Sequence, residues 1–483
     1  MSISSHYRPD PQFETLGADF SDPVDPADFP AATPRFWNER WADEIGLGEL
    51  DAAQREAHFC RFQPLPDNQA QPRAMRYHGH QFRTYNPELG DGRGFLFAQQ
   101  RDRSGRLLDL ATKGSGQTPW SRGGDGRLTL KGAVREILAA EMLEARGVYT
   151  SKAFAVYETG EALARNDEPS PTRSAVLTRL GHSHVRFGTF QRHAYEGAPE
   201  RIDALVDHAI ANYYPSLTGA EDRPAALLDA VIGASARMAA GWMAAGFVHG
   251  VLNTDNLNIT GESFDYGPWR FMDRYQPGFT AAYFDHSGLY CFARQPEAVF
   301  WNLQQLAGAL AVSGDRLSLE AALGTFPAVY RLALLDAFMA RFGVAPAGQE
   351  LDEALVRAFL AFMEAAPVSW EGVIFDWFGG ETSRERAMAG PRREHYAGEA
   401  FDAWQAVLSA HTPERPERLA HPAFTREEPV DLVIEAVEAI WDRIAEEDDW
   451  SALETVIADI RGMGDAYGLG HGRAGFLSDD QPD

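Results

Sequence analysis

Two cysteines in 483 residues, Cys60 and Cys291, leave room for one bridge at most, which excludes a disulfide framework and a zinc site built on cysteine. That scarcity points to a reducing compartment. Basic residues are also short: 44 Lys+Arg stand against 70 Asp+Glu, for a net charge of −26. A surface of that sign does not displace counterions from a duplex or lie on an anionic bilayer, so neither nucleic acid nor membrane is expected as a partner. The opening residues, Met-Ser-Ile-Ser-Ser-His-Tyr-Arg-Pro-Asp, lack an apolar core, so no secretory leader is expected and the cytoplasm is the expected location. The longest apolar run, 225–248, holds Asp229 and Arg237 and repeats its apolar residues at helical spacing, which predicts a buried helix, not a membrane span.

What is present is globular. Hydrophobic residues make up 45% and aromatics 11%, enough core material for two to four domains or one large elaborated one. The first 35 or so residues are rich in Pro and Asp, with Pro23, Pro26, Pro30 and Pro34, and predict an extended arm laid over the surface. From about 85 to 180 the pattern becomes short β-type runs at 94–99, 107–112, 153–158 and 175–180, with one helix at 130–146 between them. From Pro224 onward helices are predicted at 225–245, 296–312, 318–342, 352–365, 401–410, 430–445 and 451–461, and the last twenty residues as a frayed tail.

One interruption of the helical region, 247–273, carries the densest chemistry: His249-Gly250-Val251-Leu252-Asn253-Thr254-Asp255-Asn256, then Asp265-Tyr266-Gly267. An acidic residue beside an amide, followed about ten residues later by Asp-aromatic-Gly, supplies hard oxygen ligands for Mg²⁺ and its phosphates, as in a kinase catalytic loop. The alternative is an Asx-rich turn after a helix. Upstream, Gly90-Asp91-Gly92-Arg93-Gly94 precedes a predicted strand and could bring backbone N–H groups to phosphate, or be a plain hairpin turn. Lys113 closes the next strand and Glu136 follows 23 residues later on the predicted helix, flanked by Gly132, Ala133, Ala139 and Ala140. A strand Lys held by a helix Glu is how kinase-like folds aim the Lys at phosphates. Arg93, Lys113, Arg122, Arg127, Arg179 and Arg186 fall in one 94-residue stretch and suggest a polyphosphate pocket, with salt bridges as the alternative. His249 is read as orienting the loop, and His182, His184 and His286 do not share zinc-ligand spacing.

These segments, together with Tyr77-His78-Gly79-His80-Gln81-Phe82, the run from Lys113 to Arg127, Arg135-Glu136, Ser183-His184-Val185-Arg186-Phe187-Gly188 and Asp285-His286-Ser287-Gly288, resemble the selenoprotein O family of kinase-fold protein adenylyltransferases. They run in family order over about 210 residues. The C-terminal cysteine or selenocysteine of many members is absent, and with it the basis for redox control through that tail. The resemblance implies an α+β, protein-kinase-like two-lobe fold: an N-terminal extension over 1–84, a small nucleotide-binding lobe over 85–180, a large mainly helical catalytic lobe over 181–400 and a C-terminal helical extension over 401–483. It implies ATP binding by Gly90, Gly92, Arg93, Lys113, Asp125, Gly126, Glu136, Arg179, Arg186 and Asp265, metal binding (Mg²⁺, with Mn²⁺ an option) by Asn256 and Asp265, and Asp255 as the catalytic base. It further implies a nucleotide bound flipped relative to ordinary kinases, so that AMP passes to Ser, Thr or Tyr hydroxyls of protein substrates and pyrophosphate leaves.

The residues themselves speak against ordinary phosphotransfer. Counting from His249, a protein kinase loop carries its catalytic Asp two residues on, where this chain has Val251, which accepts no proton. Asp255 is the one carboxylate of the loop. A phosphotransferase and a nucleotide-binding pseudokinase scaffold remain the two competing readings.

Overall fold

The computed structural model describes residues 4–166 and 168–470. In chain order the strands are β1 (Ser21–Pro23), β2 (Thr33–Trp37), β3 (Arg73–Met75), β4 (Gly79–Gln81), β5 (Thr84–Asn86), β6 (Leu96–Arg101), β7 (Leu107–Lys113), β8 (Leu128–Thr129), β9 (Lys152–Leu163), β10 (Thr172–Gly181), β11 (Phe247–Val248) and β12 (Arg270–Phe271). The helices are α1 (Glu39–Glu44), α2 (Ala52–Phe59), α3 (Leu130–Ala145), α4 (Phe187–Tyr195), α5 (Pro199–Tyr213), α6 (Arg223–Ala245), α7 (Gln295–Leu310), α8 (Arg316–Leu323), α9 (Phe326–Phe342), α10 (Gln349–Ala365), α11 (Trp370–Asp376), α12 (Arg384–Ala389), α13 (Glu399–Leu408), α14 (Ile434–Glu447) and α15 (Ser451–Tyr467). The architecture is mixed α/β: one main antiparallel sheet, in the order β1-β3-β6-β7-β10-β9-β2 with β8 beside β10, and many helices.

Side-chain alternation divides the sheet's two faces. Leu96 and Leu107 point into the core shared with α3, while Phe95, Phe97, Leu108 and Leu110 point the other way onto Trp41, Leu47 and Phe59 from the α1–α2 segment. Lys113 shares the parity of Leu107 and therefore faces α3. Its cross-strand partner is Leu177, and Arg179 lies opposite Ala111, so Lys113 and Arg179 project from the same face.

The N-terminal arm is extended as expected, but it does not merely lie on the surface. Its strands β1 and β2 are the two edges of the main sheet, and Phe13, Phe20 and Phe29 are buried. As edge strands they are short, three and five residues, and Pro23 and Pro34 are tolerated there because an edge strand leaves its outer N–H groups unbonded.

Helix α3 begins where Thr129 Oγ1 accepts the Gly132 N–H at 3.1 Å and stops at Arg146, before Gly147 with φ +81°. Helix α6 starts with Asp222 accepting from Ala225 N and ends at Gly246, φ +66°. Helical structure starts earlier than Pro224, with α4 and α5. The expected helix over 318–342 is two, α8 and α9, parted at Gly324–Thr325; by length and composition alone Arg316–Phe342 is apolar enough to cross a membrane, and here α9 packs along α6. The tail reading is corrected in its first part: α15 continues to Tyr467, and Tyr467 and Leu469 are buried. Residues 471–483 of that tail lie outside the described residues. Cys60 and Cys291 are both free and buried.

Candidate functional site

Two strands converge on one carboxylate, and a helix holds one of their cations. Lys113, at the end of β7, donates from Nζ to Glu136 Oε1 on α3 at 2.5 Å and to Asp265 Oδ1 at 2.7 Å. Arg179 on β10 donates from Nη1 to the same Asp265 oxygen at 3.2 Å. Burial alone would raise the Asp265 pKa; the Lys113 ammonium and the Arg179 and Arg186 guanidiniums overcome it and hold the carboxyl well below the usual range. Asp265 has φ +64°, a left-handed conformation that costs a non-glycine residue on the order of 1–3 kcal/mol and that recurs at functional sites.

The loop 249–256 is pinned from both sides. From α7, Gln295 Oε1 accepts the His249 N–H at 3.0 Å and Asn302 Nδ2 donates to the Leu252 carbonyl at 2.8 Å. From the β4–β5 hairpin, the His80 N–H donates to Thr254 Oγ1 at 2.7 Å and the Phe82 N–H to Asn253 Oδ1 at 3.0 Å. His249 donates from Nε2 to the Phe264 carbonyl at 2.9 Å, and burial lowers its pKa, so the ring is a neutral tie between the loop and the Asp265 segment. This is the orienting role read from the sequence.

Asp255 is buried, and its Oδ1 has no hydrogen-bond partner among the described residues. Burial pushes its pKa up to about 6 against the pull of Arg186; the charge of Asp265 adds to the rise and that of Arg122 opposes it. Two carboxylates ten residues apart in sequence therefore have pKa values pushed in opposite directions, Asp265 down by its cations and Asp255 up by burial.

Asn256 donates from Nδ2 to the Val251 carbonyl at 3.0 Å, which leaves its Oδ1 as the acceptor, and both contacts of Asp265 fall on Oδ1. Among the described residues no group of three or more His, Cys, Asp or Glu forms a metal cage. An amide oxygen plus one carboxylate fits Mg²⁺, which keeps waters and takes substrate phosphates in place of further protein ligands.

Arg186 lies between the rings of Tyr77, 4.5 Å away, and Phe264, 5.0 Å away. Its Nη2 meets Asp91 Oδ1 at 3.3 Å, so the turn containing Gly90 and Gly92 is brought to the same cluster. A Cβ on Gly90 would overlap the Trp120 ring and one on Gly92 would approach the Trp120 carbonyl to 2.8 Å, so these glycines let the turn stack on the loop 118–121. Gly126, φ +69°, similarly crosses against Gly116, where a side chain would overlap backbone. Asp125 pairs with Arg165 at 2.7 Å and Arg127 with Glu161 at 2.8 Å, ties that hold both side chains to the β9–β10 hairpin. Arg93 and Arg122 are exposed on the two glycine loops.

Asp91, Asn253, Thr254 and the hairpin residues Gly79, His80 and Phe82 stand inside the motifs quoted from the sequence, but none has a role assigned there; the structure gives them bracing roles around the loop. Tyr77 to Phe82 lies far upstream of the loop it braces, and only the fold shows the contact across about 170 positions.

Known proteins align with the chain over this whole arrangement. A family model described as "Protein adenylyltransferase SelO" matches residues 3–461. A protein nucleotidyltransferase YdiU of Gloeobacter violaceus is 42% identical over 465 residues, 94% of each chain. The protein of the same name from Synechococcus elongatus is 41% identical over 480 residues, covering 94% of this chain and 95% of that one, and the one from Pseudomonas putida strain GB-1 is 38% identical over 412, covering 84% and 82%. The chain belongs to the SelO family of protein adenylyltransferases.

Proposed function

We propose that the protein transfers AMP from ATP to Ser, Thr or Tyr hydroxyls of other proteins, on a kinase-like two-lobe scaffold divided at about residues 84, 180 and 400. The observation that carries this reading is the pairing of a complete kinase-type Lys113–Glu136–Asp265 cluster with an apolar Val251 where a kinase holds its base.

Lys113, kept in place by Glu136, and the guanidiniums of Arg179 and Arg186 neutralise and orient the triphosphate, with the glycine turns at Gly90, Gly92 and Gly126 offering backbone N–H groups and Arg93 and Asp125 at the rim. Asn256 and Asp265 would hold Mg²⁺, or Mn²⁺ in its place, which when bound offsets phosphate charge. The acceptor hydroxyl oxygen attacks the α-phosphorus, the bond from that phosphorus to the bridging oxygen breaks, and pyrophosphate leaves. Asp255 takes the hydroxyl proton; a carboxylate raised to about 6 is a stronger base than an ordinary one and is still ionised at neutral pH.

Incubation of the protein and a protein acceptor with α-labelled or γ-labelled ATP tests the reading. Label from the α position alone supports it. Label from the γ position makes the protein a phosphotransferase, and binding without transfer makes it a scaffold.

A further inference from the structure

The helix that carries Glu136 is gripped from behind by the last two helices of the described chain. On the face of α3 away from Lys113, the Glu141 carboxylate is buried and receives a two-pronged hydrogen bond from Arg461 on α15, Nε to Oε2 at 2.8 Å and Nη2 to Oε1 at 2.7 Å. In the first turn of α3, Lys131 meets Glu438 on α14 at 2.5 Å. At the other end, a Cβ on Gly464 would come within 3.1 Å of Ala145 Cα, so the α15 backbone lies directly on α3. Arg146, the residue that caps α3, donates to Asp431 at 2.7 Å and to the Ala245 carbonyl at 2.9 Å. From the opposite side Arg135 donates from Nη2 to the carbonyls of Trp269 at 3.0 Å and Gly267 at 3.3 Å, just after Asp265.

A helix held at both ends and on both flanks cannot swing outward, so the Lys113–Glu136 bond is set by contacts remote from it. We infer that α14 and α15 act as a built-in brace for nucleotide binding, with Arg461 as a positioning residue that acts through Glu141 on Glu136 and Lys113. The inference rests on the proposed role of Lys113 at the ATP phosphates. Its physical basis is the burial of Glu141: a two-pronged guanidinium–carboxylate pair is directional, and a shift of α3 by an ångström would break both of its bonds and the 2.5 Å Lys113–Glu136 contact together.

The test compares Arg461→Met, Arg461→Lys and Arg426→Met in the full chain. Arg426 also braces α15, pairing with Asp459 at 3.0 Å, but that pair does not touch α3. ATP affinity is measured by titration with a fluorescent ATP analogue, the KM for ATP by α-label transfer, and melting temperature by calorimetry. Arg461→Met is expected to raise both the dissociation constant and KM for ATP about fivefold or more, Arg461→Lys to restore part of the loss, and Arg426→Met to leave both unchanged. If Arg461→Met lowers the melting temperature with ATP affinity and KM at parental values, or if Arg426→Met weakens ATP as much as Arg461→Met does, the brace is structural only and the inference falls. A parent protein that binds ATP without α-label transfer would overturn the proposed function instead, and the affinity arm would still decide the brace.

Discussion

Arg186 donates a 2.7 Å hydrogen bond from Nη1 to the backbone carbonyl of Asp255 while its Nη2 meets the Asp91 carboxylate at 3.3 Å. One guanidinium, at the start of α4, thus joins the glycine turn to the loop holding the proposed base. Lysine has one charged nitrogen and no flat face to lie between Tyr77 and Phe264. Arg186→Lys is expected to weaken ATP binding tenfold or more and to lower transfer further, because the Asp255 loop loses its tie. Isothermal titration with ATP and a single-turnover transfer assay measure the two separately; parental values in both would show that the fork is dispensable.

Asp265→Ala removes the carboxylate shared by Lys113, Arg179 and the proposed metal. Transfer should vanish at any Mg²⁺ concentration. Activity recovered at saturating Mg²⁺ would move the metal to another site.

For Lys113, position in the sequence suggests a strand-end cation that adds little to the core, whereas the structure leaves it 6% exposed between two carboxylates. Removing a buried partner strands the opposite charges, with a penalty on the order of 3 kcal/mol. Lys113→Met is therefore expected to lose ATP affinity and also to melt several degrees lower. An unchanged melting temperature in calorimetry would mean that Arg179 alone suffices for Asp265.

Asp255→Ala should retain ATP and metal binding while transfer falls about 10²-fold, the scale of a lost general base. Measured on one sample, a collapse of binding together with rate would place Asp255 in the metal site, and no change in either would send the acceptor proton by another route.

How much of this was legible in the sequence depends on the range of the contact. The helix bearing Glu136 and the strands ending at Lys113 and Arg179 announce themselves through local periodicity, and their cluster follows from spacing. Helix α5 was equally legible, with Ile202, Leu205, Val206, Ala209, Ile210 and Tyr213 on one stripe and Pro199 at its start, yet a boundary placed at Pro224 hid it. The sheet edges were not legible: β1 and β2 have three and five residues, too few for a period, and only the partner strands β3 and β9 make them strands. The same holds for Asp125 and Arg127, whose spacing suits a phosphate loop but whose neighbours Arg165 and Glu161 arrive from a later hairpin.

Glu262 gives the fold a pH-dependence that the active site does not need. Its carboxylate is buried and accepts the His182 N–H at 2.8 Å; burial pushes its pKa up to about 7 from 4.5, with Lys152 acting against the rise. The folded chain therefore holds this proton more tightly than the unfolded chain. Below about pH 4.5 both states are protonated and nothing is lost; as pH rises toward 7 the unfolded state releases the proton first, and folding stability falls by an amount on the order of 3 kcal/mol once both are ionised. Glu262→Gln keeps the shape and removes the titration. His182, lowered to about 3 by burial, acts in the opposite direction, but it is present in both proteins and cancels in their difference. Between pH 5 and 8 the melting temperature of the parent is expected to fall relative to that of the Gln variant, and parallel curves across that range would show that Lys152 keeps Glu262 ionised throughout.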